Sequence, residues 1–268
     1  MTLMVGVFGS MVGSFLNVVV YRIPLKHSVV SPPSACIQCR ARIKGYDNVP
    51  IISWLLLRGR CRNCKAEISM RYFFVELGTG IFFAIVALKF WPSGKSDLLL
   101  LSAFLYLAAA SVALALIDLD TKTLPNRIVL PSYFVGIASL GASGIWSGEY
   151  GALLRAGIGM ALLWLIYFGL ALAYPGGMGF GDVKLAGVLG LFLGYISWGA
   201  LITGAFAAFV LGGIFGVALL LTRKVNRKSG IPFGPWMLIG AWIGILLSDP
   251  IVRIYFSLFG IGRNFNGN

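Results

Sequence analysis

Eight apolar runs, most of them long enough to cross a bilayer, constrain this chain more than any other feature of its sequence. A spanning helix needs about 20 mostly apolar residues. Hydrophobic residues make up 58% of the 268 residues and charged residues only 12%, whereas about 25% is usual in a soluble domain. These values exclude a soluble enzyme, a disordered chain and a disulfide-stapled secreted module. The runs lie at 3–21, 73–91, 98–117, 128–146, 151–174, 183–195, 199–222 and 236–258.

The sequence therefore predicts an all-α polytopic membrane protein with about eight transmembrane helices. The sixth and seventh runs form one continuous apolar stretch, which we divide near 194–198, and the first half is short for a span. We expect a first helix over 1–21, a polar segment over 22–72 and a seven-helix membrane domain over 73–268. Pairs of glycines four residues apart allow close helix packing, and they occur at Gly9/Gly13, Gly190/Gly194, Gly212/Gly216 and Gly240/Gly244.

The net charge of +13 indicates membrane orientation and no nucleic-acid partner. If the N-terminus lies outside, the loops at 22–72, 118–127, 175–184 and 223–235 face the cytoplasm and contain 17 of the 22 Lys and Arg residues. Such an excess is typical of cytoplasmic loops. We expect a multi-pass protein of the cytoplasmic (inner) membrane, with membrane lipid among its partners.

All four cysteines lie in the polar segment, as two Cys-x2-Cys pairs separated by 21 residues. Two such pairs can complete a tetrahedral zinc site, and four thiolates leave no open position, so the metal would be structural. The spacing disfavours four ordinary thiols, and a reducing cytoplasm disfavours disulfides. We therefore expect a small cytoplasmic zinc-ribbon-like domain between helices 1 and 2, with Zn²⁺ held by Cys36, Cys39, Cys61 and Cys64.

Three aspartates lie at the inner membrane edge: Asp118 and Asp120 end the third apolar run, and Asp182 begins the sixth. Ionisable groups within a span are costly and mark a functional site by default. Two carboxylates that share a proton can serve as general base and general acid, as in aspartic proteases. Glu76 begins the second run, and we expect it to snorkel or to pair with a basic neighbour.

The residues alone leave two other functions open. A carboxylate pair also suits a proton- or cation-coupled transporter, although an inner-edge position favours the protease because transporter sites usually lie near the midplane. Glycines 177, 179 and 181 precede Asp182 and could be taken for a nucleotide loop. That interpretation is weak because no soluble strand precedes them and no Rossmann unit follows.

Several short motifs occur along the chain in a specific order. They are Gly13–Pro24, the two Cys-x2-Cys pairs, Asp47–Pro50, Ser53–Leu55, Ile68-Ser69 with Glu76, Ile117-Asp118 with Leu124-Pro125, Gly179–Asp182 with Lys184, and Ile231–Pro235. In this order they resemble the type 4 prepilin peptidases, which belong to the Gly-x-Gly-Asp intramembrane aspartyl proteases. The resemblance covers nearly the whole chain. One departure is Asn126, where many members have aspartate.

The resemblance implies that Asp118 and Asp182 are the catalytic pair, because the essential first aspartate of the family follows Ile117, and Asp120 is set aside. It implies supporting roles for Gly179, Gly181 and Lys184.

The resemblance also implies a substrate and a second activity. The substrates of the family are prepilin or pseudopilin precursors of type IV pili and type II secretion. Their short basic leader is cut after glycine on the cytoplasmic side. Many members then methylate the new N-terminus with S-adenosylmethionine, and these members usually carry the tetracysteine domain. We therefore expect both activities in this chain.

Overall fold

The computed structural model describes residues 2–92, 94–173, 178–222 and 232–258, and these residues are predominantly helical. Two isolated bridges, Ala35–Arg42 and Arg60–Glu67, are the only β pairing among them. This confirms the all-α fold class. The helices are α1 (Thr2–Arg22), α2 (Ile52–Leu56), α3 (Met70–Lys89), α4 (Lys95–Thr121), α5 (Asn126–Ser147), α6 (Tyr150–Ala173), α7 (Phe180–Ile196), α8 (Trp198–Leu221) and α9 (Gly234–Leu258).

Seven helices of the described part of the chain are long and apolar enough to cross a membrane: α1, α3, α4, α5, α6, α8 and α9. The chain is therefore a multi-pass membrane protein. The predicted division of the long apolar stretch is confirmed, since α7 ends at Ile196 and α8 begins at Trp198. With 17 residues, α7 lies at the short end of the spanning range. Twelve of its residues are buried, so it is a core helix of its unit.

The residues up to Ile117 form one compact unit, in which α1 packs against α3. A Cβ atom at Gly13 would lie 2.9 Å from the Cα atom of Glu76, so the predicted glycine pair of α1 does lie at a close helix contact. Within the described ranges, Glu76 forms no salt bridge with a basic side chain. It is 9% exposed, and its Oε2 atom accepts a hydrogen bond of 2.7 Å from the backbone N–H of Ile51.

The residues from Asp118 form the second unit, which contains two closely packed helix pairs, α6 with α7 and α8 with α9. A Cβ atom at Gly194 would lie 2.5 Å from the carbonyl oxygen of Arg155, and one at Gly244 would lie 2.5 Å from that of Ala200. No larger residue fits at these positions without separating the helices. The glycine pairs predicted in α7 and α9 therefore lie at helix contacts.

The C-terminal end of α7 is capped by a side chain of α6. The Arg155 guanidinium donates hydrogen bonds of 3.2–3.4 Å to the carbonyl oxygens of Gly194, Tyr195 and Ile196. These carbonyl oxygens belong to the last turn of α7, where carbonyls have no hydrogen-bond donor within the helix. A positive charge is favourable at this end of a helix. Arg155 thus holds the helix that carries Asp182.

Candidate functional site

Asp118 is fixed at the end of α4 by the first residue of another helix. Its side chain is 3% exposed, and its Oδ2 atom accepts a hydrogen bond of 3.0 Å from the backbone N–H of Gly234, the first residue of α9. Helix N-termini favour negative charge because their N–H groups lack partners within the helix. Asp120 lies only two residues further along the chain but is exposed.

Asp182 lies in the first turn of α7. Its Oδ2 atom accepts a hydrogen bond of 3.0 Å from the backbone N–H of Gly179, the N-cap residue. In return, the backbone N–H of Asp182 donates 3.0 Å to the carbonyl oxygen of Gly179. This reciprocal arrangement resembles a capping box. It fixes the carboxylate against Gly179, at the start of the helix.

Leu124, in the loop between α4 and α5, links the surroundings of the two aspartates. A Cβ atom at Gly181, next to Asp182, would lie 3.0 Å from the Cβ atom of Leu124. A Cβ atom at Gly234 would lie 3.2 Å from its Cδ2 atom. Both carboxylates therefore belong to one site around Leu124.

Lys184 joins α7 to α5. Its Nζ atom donates a hydrogen bond of 3.0 Å to Oδ1 of Asn126 and lies 5.1 Å from the ring centroid of Phe180. The Tyr133 hydroxyl donates 2.7 Å to the carbonyl oxygen of Lys184. In the ranges that the structure describes, the ammonium forms no salt bridge with either aspartate. Asn126 thus accepts a hydrogen bond from Lys184 at the position where many family members have a carboxylate.

Tyr167 on α6 is a residue of this site that the sequence did not identify. The antiparallel α6–α7 contact places Gly159 opposite Gly190 and Trp164 opposite Gly187, so Tyr167 lies level with residues 182–183. Its side chain is 2% exposed.

A second contact connects Tyr167 with the other aspartate. Its ring centroid lies 6.2 Å from that of Phe233. The next residue, Gly234, donates its backbone N–H to Asp118. A single tyrosine in an apolar run carries no distinctive sequence signal, and its position near the site depends on helix packing.

The four cysteines come together as predicted. Their Sγ atoms all lie within 4.8 Å of one another, with separations of 3.8 Å between Cys36 and Cys64 and 4.0 Å between Cys39 and Cys61. Tetrahedral zinc with Zn–S bonds of about 2.3 Å requires sulfur atoms about 3.8 Å apart. The four thiols therefore fit a zinc ion in number, chemistry and spacing.

Each Cys-x2-Cys pair forms the same tight turn. The backbone N–H of Arg40 donates to the carbonyl oxygen of Cys36, and that of Lys65 donates to Cys61, at 2.9 and 3.0 Å. Arg40 and Lys65 both have positive φ, 56° and 60°. The two pairs therefore share one backbone turn, with a residue of positive φ directly after the second cysteine.

Backbone N–H groups make two of the four thiols, Cys36 and Cys61, more acidic. The backbone N–H of Ala66 also lowers the pKa of Cys64, but burial and the neighbouring thiols raise it to about 11. Hydrogen bonds from the backbone of Cys39 and Gln38 lower the pKa of Cys36 to about 6. A backbone hydrogen bond from Cys64 lowers the pKa of Cys61. Because zinc binds thiolates, these bonds prepare the site for the metal.

Two family models match the chain. The Bacterial Peptidase A24 N-terminal domain matches residues 7–90, and the Type IV leader peptidase family matches residues 105–217. The first match contains the tetracysteine cluster, and the second contains both aspartates. No solved structure matches the chain.

Several relatives are similar along nearly their whole length. The prepilin leader peptidase/N-methyltransferase of Aeromonas salmonicida is 36% identical over 281 residues, which covers 95% of this chain and 93% of the relative. That of Pseudomonas putida is 36% identical over 277 residues, with the same coverage. That of Neisseria gonorrhoeae is 33% identical over 272 residues, which covers 92% of this chain and 91% of the relative. The resemblance inferred from the motifs is thus confirmed, and the chain belongs to the type IV leader peptidase family.

Proposed function

We propose that the chain is an aspartyl endopeptidase that removes the basic leader from prepilin or pseudopilin precursors at the cytoplasmic membrane face. The observation that carries this proposal is the arrangement of Asp118 and Asp182 around Leu124, each carboxylate held by a backbone N–H at the start of a helix. The names of the relatives supply the substrate class.

The reaction requires only the two carboxylates and a water molecule. One aspartate is ionised and takes a proton from the water, whose oxygen attacks the scissile carbonyl carbon. The other aspartate is protonated and donates its proton to the carbonyl oxygen. Collapse of the resulting gem-diol breaks the C–N bond, and the leaving amine takes up the proton held by the first aspartate. At the same time the second aspartate takes a proton back from one gem-diol hydroxyl, whose oxygen becomes the carbonyl oxygen of the new carboxyl group. This cycle returns the pair to a singly protonated state.

Three further residues of the site have supporting roles. Gly179 donates the N–H that orients the Asp182 carboxylate. Gly181 leaves room for Leu124 beside it. Lys184 attaches the first turn of α7 to Asn126 on α5. The bonds and the contact keep the carboxylate at one position relative to its partner, and position is decisive for general acid–base catalysis.

Both aspartates act at the cytoplasmic side in this proposal, with the N-terminus outside the inner membrane. The distribution of charge supports this orientation, since the loops that adjoin the two aspartates belong to the set that contains 17 of the 22 basic residues. The tetracysteine segment, 22–72, lies on the same side, and the seven-helix domain over 73–268 carries the active site.

The chain also methylates the new N-terminus, in keeping with the names of its relatives. S-adenosylmethionine would supply the methyl group. Zinc, held by the four cysteines, would stabilise the tetracysteine segment and would leave no coordination position for a substrate.

A reconstituted system distinguishes the peptidase from the alternative, a proton- or cation-coupled transporter that uses the same aspartates. We expect the purified chain in liposomes to shorten a prepilin precursor by the length of its leader, with cleavage after glycine, as measured by mass spectrometry. A transporter would instead carry ions across the liposome membrane and leave the precursor intact. Ion flux without cleavage would therefore overturn the proposal.

A further inference from the structure

The short helix α2 exposes an apolar face. Ile52, Leu55 and Leu56 are 56%, 54% and 78% exposed. Its other face is anchored, because Ser53 is only 7% exposed and its hydroxyl donates a hydrogen bond of 3.0 Å to the carbonyl oxygen of Tyr46. Three large apolar side chains on one face of a five-residue helix form an unusual surface for a segment surrounded by water.

Two contacts place α2 beside the first turns of the membrane span α3. The backbone N–H of Ile51 donates 2.7 Å to Oε2 of Glu76, and the ring centroids of Trp54 and Phe73 are 5.2 Å apart. At 1.5 Å per residue, Phe73 and Glu76 lie about 4.5 and 9 Å from the start of α3. The exposed face of α2 therefore lies at the level where the span enters the headgroup layer. Tryptophan is enriched at this level in membrane proteins.

Cations follow α2 directly. A cavity after the helix is lined by Leu57, Arg58, Arg60, Cys61 and Lys65, so its lining contains three cations and no carboxylate. Glu67, whose backbone pairs with that of Arg60, lies outside the lining. An apolar face next to a group of cations is the pattern of segments that bind anionic membrane surfaces.

We propose that α2 and the basic cavity after it dock on anionic phospholipid of the membrane that α3 crosses. Ile52, Leu55 and Leu56 enter the boundary between headgroups and acyl chains, and Arg58, Arg60 and Lys65 bind lipid phosphates. This docking holds the tetracysteine segment against the bilayer at the start of α3. It does not depend on the chemistry of the aspartates. An acidic protein partner is disfavoured because the apolar face lies at membrane level.

The test uses the full-length, zinc-loaded chain in liposomes. An environment-sensitive fluorescent amino acid replaces Leu56 in one sample and Val30 in another. Val30 belongs to the same polar segment and is 83% exposed. It is the matched control, because both positions lie on the same side of the membrane however each chain inserts into the liposome. The vesicles contain phosphatidylcholine with or without about 30% phosphatidylglycerol as the anionic lipid. A nitroxide at the headgroup level quenches probes that reach the bilayer.

We expect quenching at position 56 to be several-fold stronger than at position 30 and to rise with phosphatidylglycerol. The triple variant Arg58→Gln/Arg60→Gln/Lys65→Gln should lose the rise with phosphatidylglycerol while keeping its zinc content. Equal quenching at both positions would overturn the proposal. Quenching at position 56 that does not change with phosphatidylglycerol would also overturn it. A third contradicting result would be a soluble acidic peptide that, in pure phosphatidylcholine vesicles, shields the probe at position 56 from the nitroxide quencher.

Discussion

The backbone N–H of Gly234 donates a hydrogen bond of 3.0 Å to Oδ2 of Asp118. The two residues are 116 positions apart in the chain, and the bond connects the end of α4 to the beginning of α9. It fixes one carboxylate oxygen against a helix N-terminus. We expect the attacking water to bind the other oxygen, Oδ1. The start of α9 is thus part of the proposed active site although it contributes no catalytic side chain.

Gly234→Ala should inactivate the peptidase without unfolding the chain. The added Cβ atom would lie 2.8 Å from Oδ2 of Asp118, so the carboxylate would have to move. A displacement of about 1 Å can lower the rate of a positioned reaction about a hundredfold, and we expect a loss of that order in precursor cleavage. Gly141→Ala is the matched control, because a Cβ atom there meets nothing within 4 Å. Full activity of Gly234→Ala would show that this contact does not position Asp118.

Tyr167→Phe tests the role of the tyrosine that lies level with Asp182 and contacts Phe233. The ring contacts with Phe233 and Phe209 remain in this variant, and only the hydroxyl is lost. If the hydroxyl helps to orient the reacting groups, kcat should fall about tenfold with little change in KM, and the pH profile of cleavage should shift. Tyr150→Phe, at the opposite end of α6 and exposed, should change neither. An unaltered pH profile and kcat would assign Tyr167 to packing alone.

The tetracysteine cluster should contain about one zinc ion per chain. Cys39→Ser removes a ligand whose sulfur lies 4.0 Å from that of Cys61, and metal analysis of the purified variant should show a large loss of zinc. Asp118→Asn, which leaves the four sulfur atoms untouched, should retain it. A wild-type chain purified without chelators and found to lack zinc would contradict the metal assignment.

Arg155 should contribute to the stability of the helix pair α6–α7. Its three hydrogen bonds satisfy the last carbonyls of α7, so Arg155→Ala leaves them without these donors. We expect a loss of about 1–2 kcal/mol in the free energy of unfolding, measured as a lower Tm in detergent. Arg155→Lys keeps the positive charge at the helix end and should recover part of the loss. If the alanine variant melts at the wild-type temperature, the cap is energetically neutral.

The apolar runs predicted the helices to within a few residues, because hydrocarbon tolerates only helical backbone in such segments. The division between α7 and α8, the glycine pairs at three helix contacts and the clustering of the four cysteines were all readable as local patterns. Local patterns also predicted that Asp118 and Asp182 lie at one edge of the membrane domain, although spacing alone did not distinguish Asp118 from Asp120.

The remaining features depend on contacts between distant parts of the chain. Glu76 accepts a hydrogen bond from Ile51, where the sequence suggested snorkelling or a basic partner, because nothing local indicates that a loop amide folds back onto α3. The positions of Gly234 beside Asp118 and of Tyr167 beside Asp182 likewise follow from helix packing. Single residues in apolar or glycine-rich stretches carry no pattern from which such contacts can be predicted.

The most direct test of the account is the cleavage rate of a prepilin precursor by Asp118→Asn and Asp182→Asn. Each amide keeps the size of the side chain but can neither accept a proton from water nor donate one as an acid, so each rate should fall about a hundredfold or more. Both variants should insert in the membrane and retain zinc, and Asp120→Asn should cleave normally. Processing at the wild-type rate by either of the first two variants would contradict the assignment of the catalytic pair.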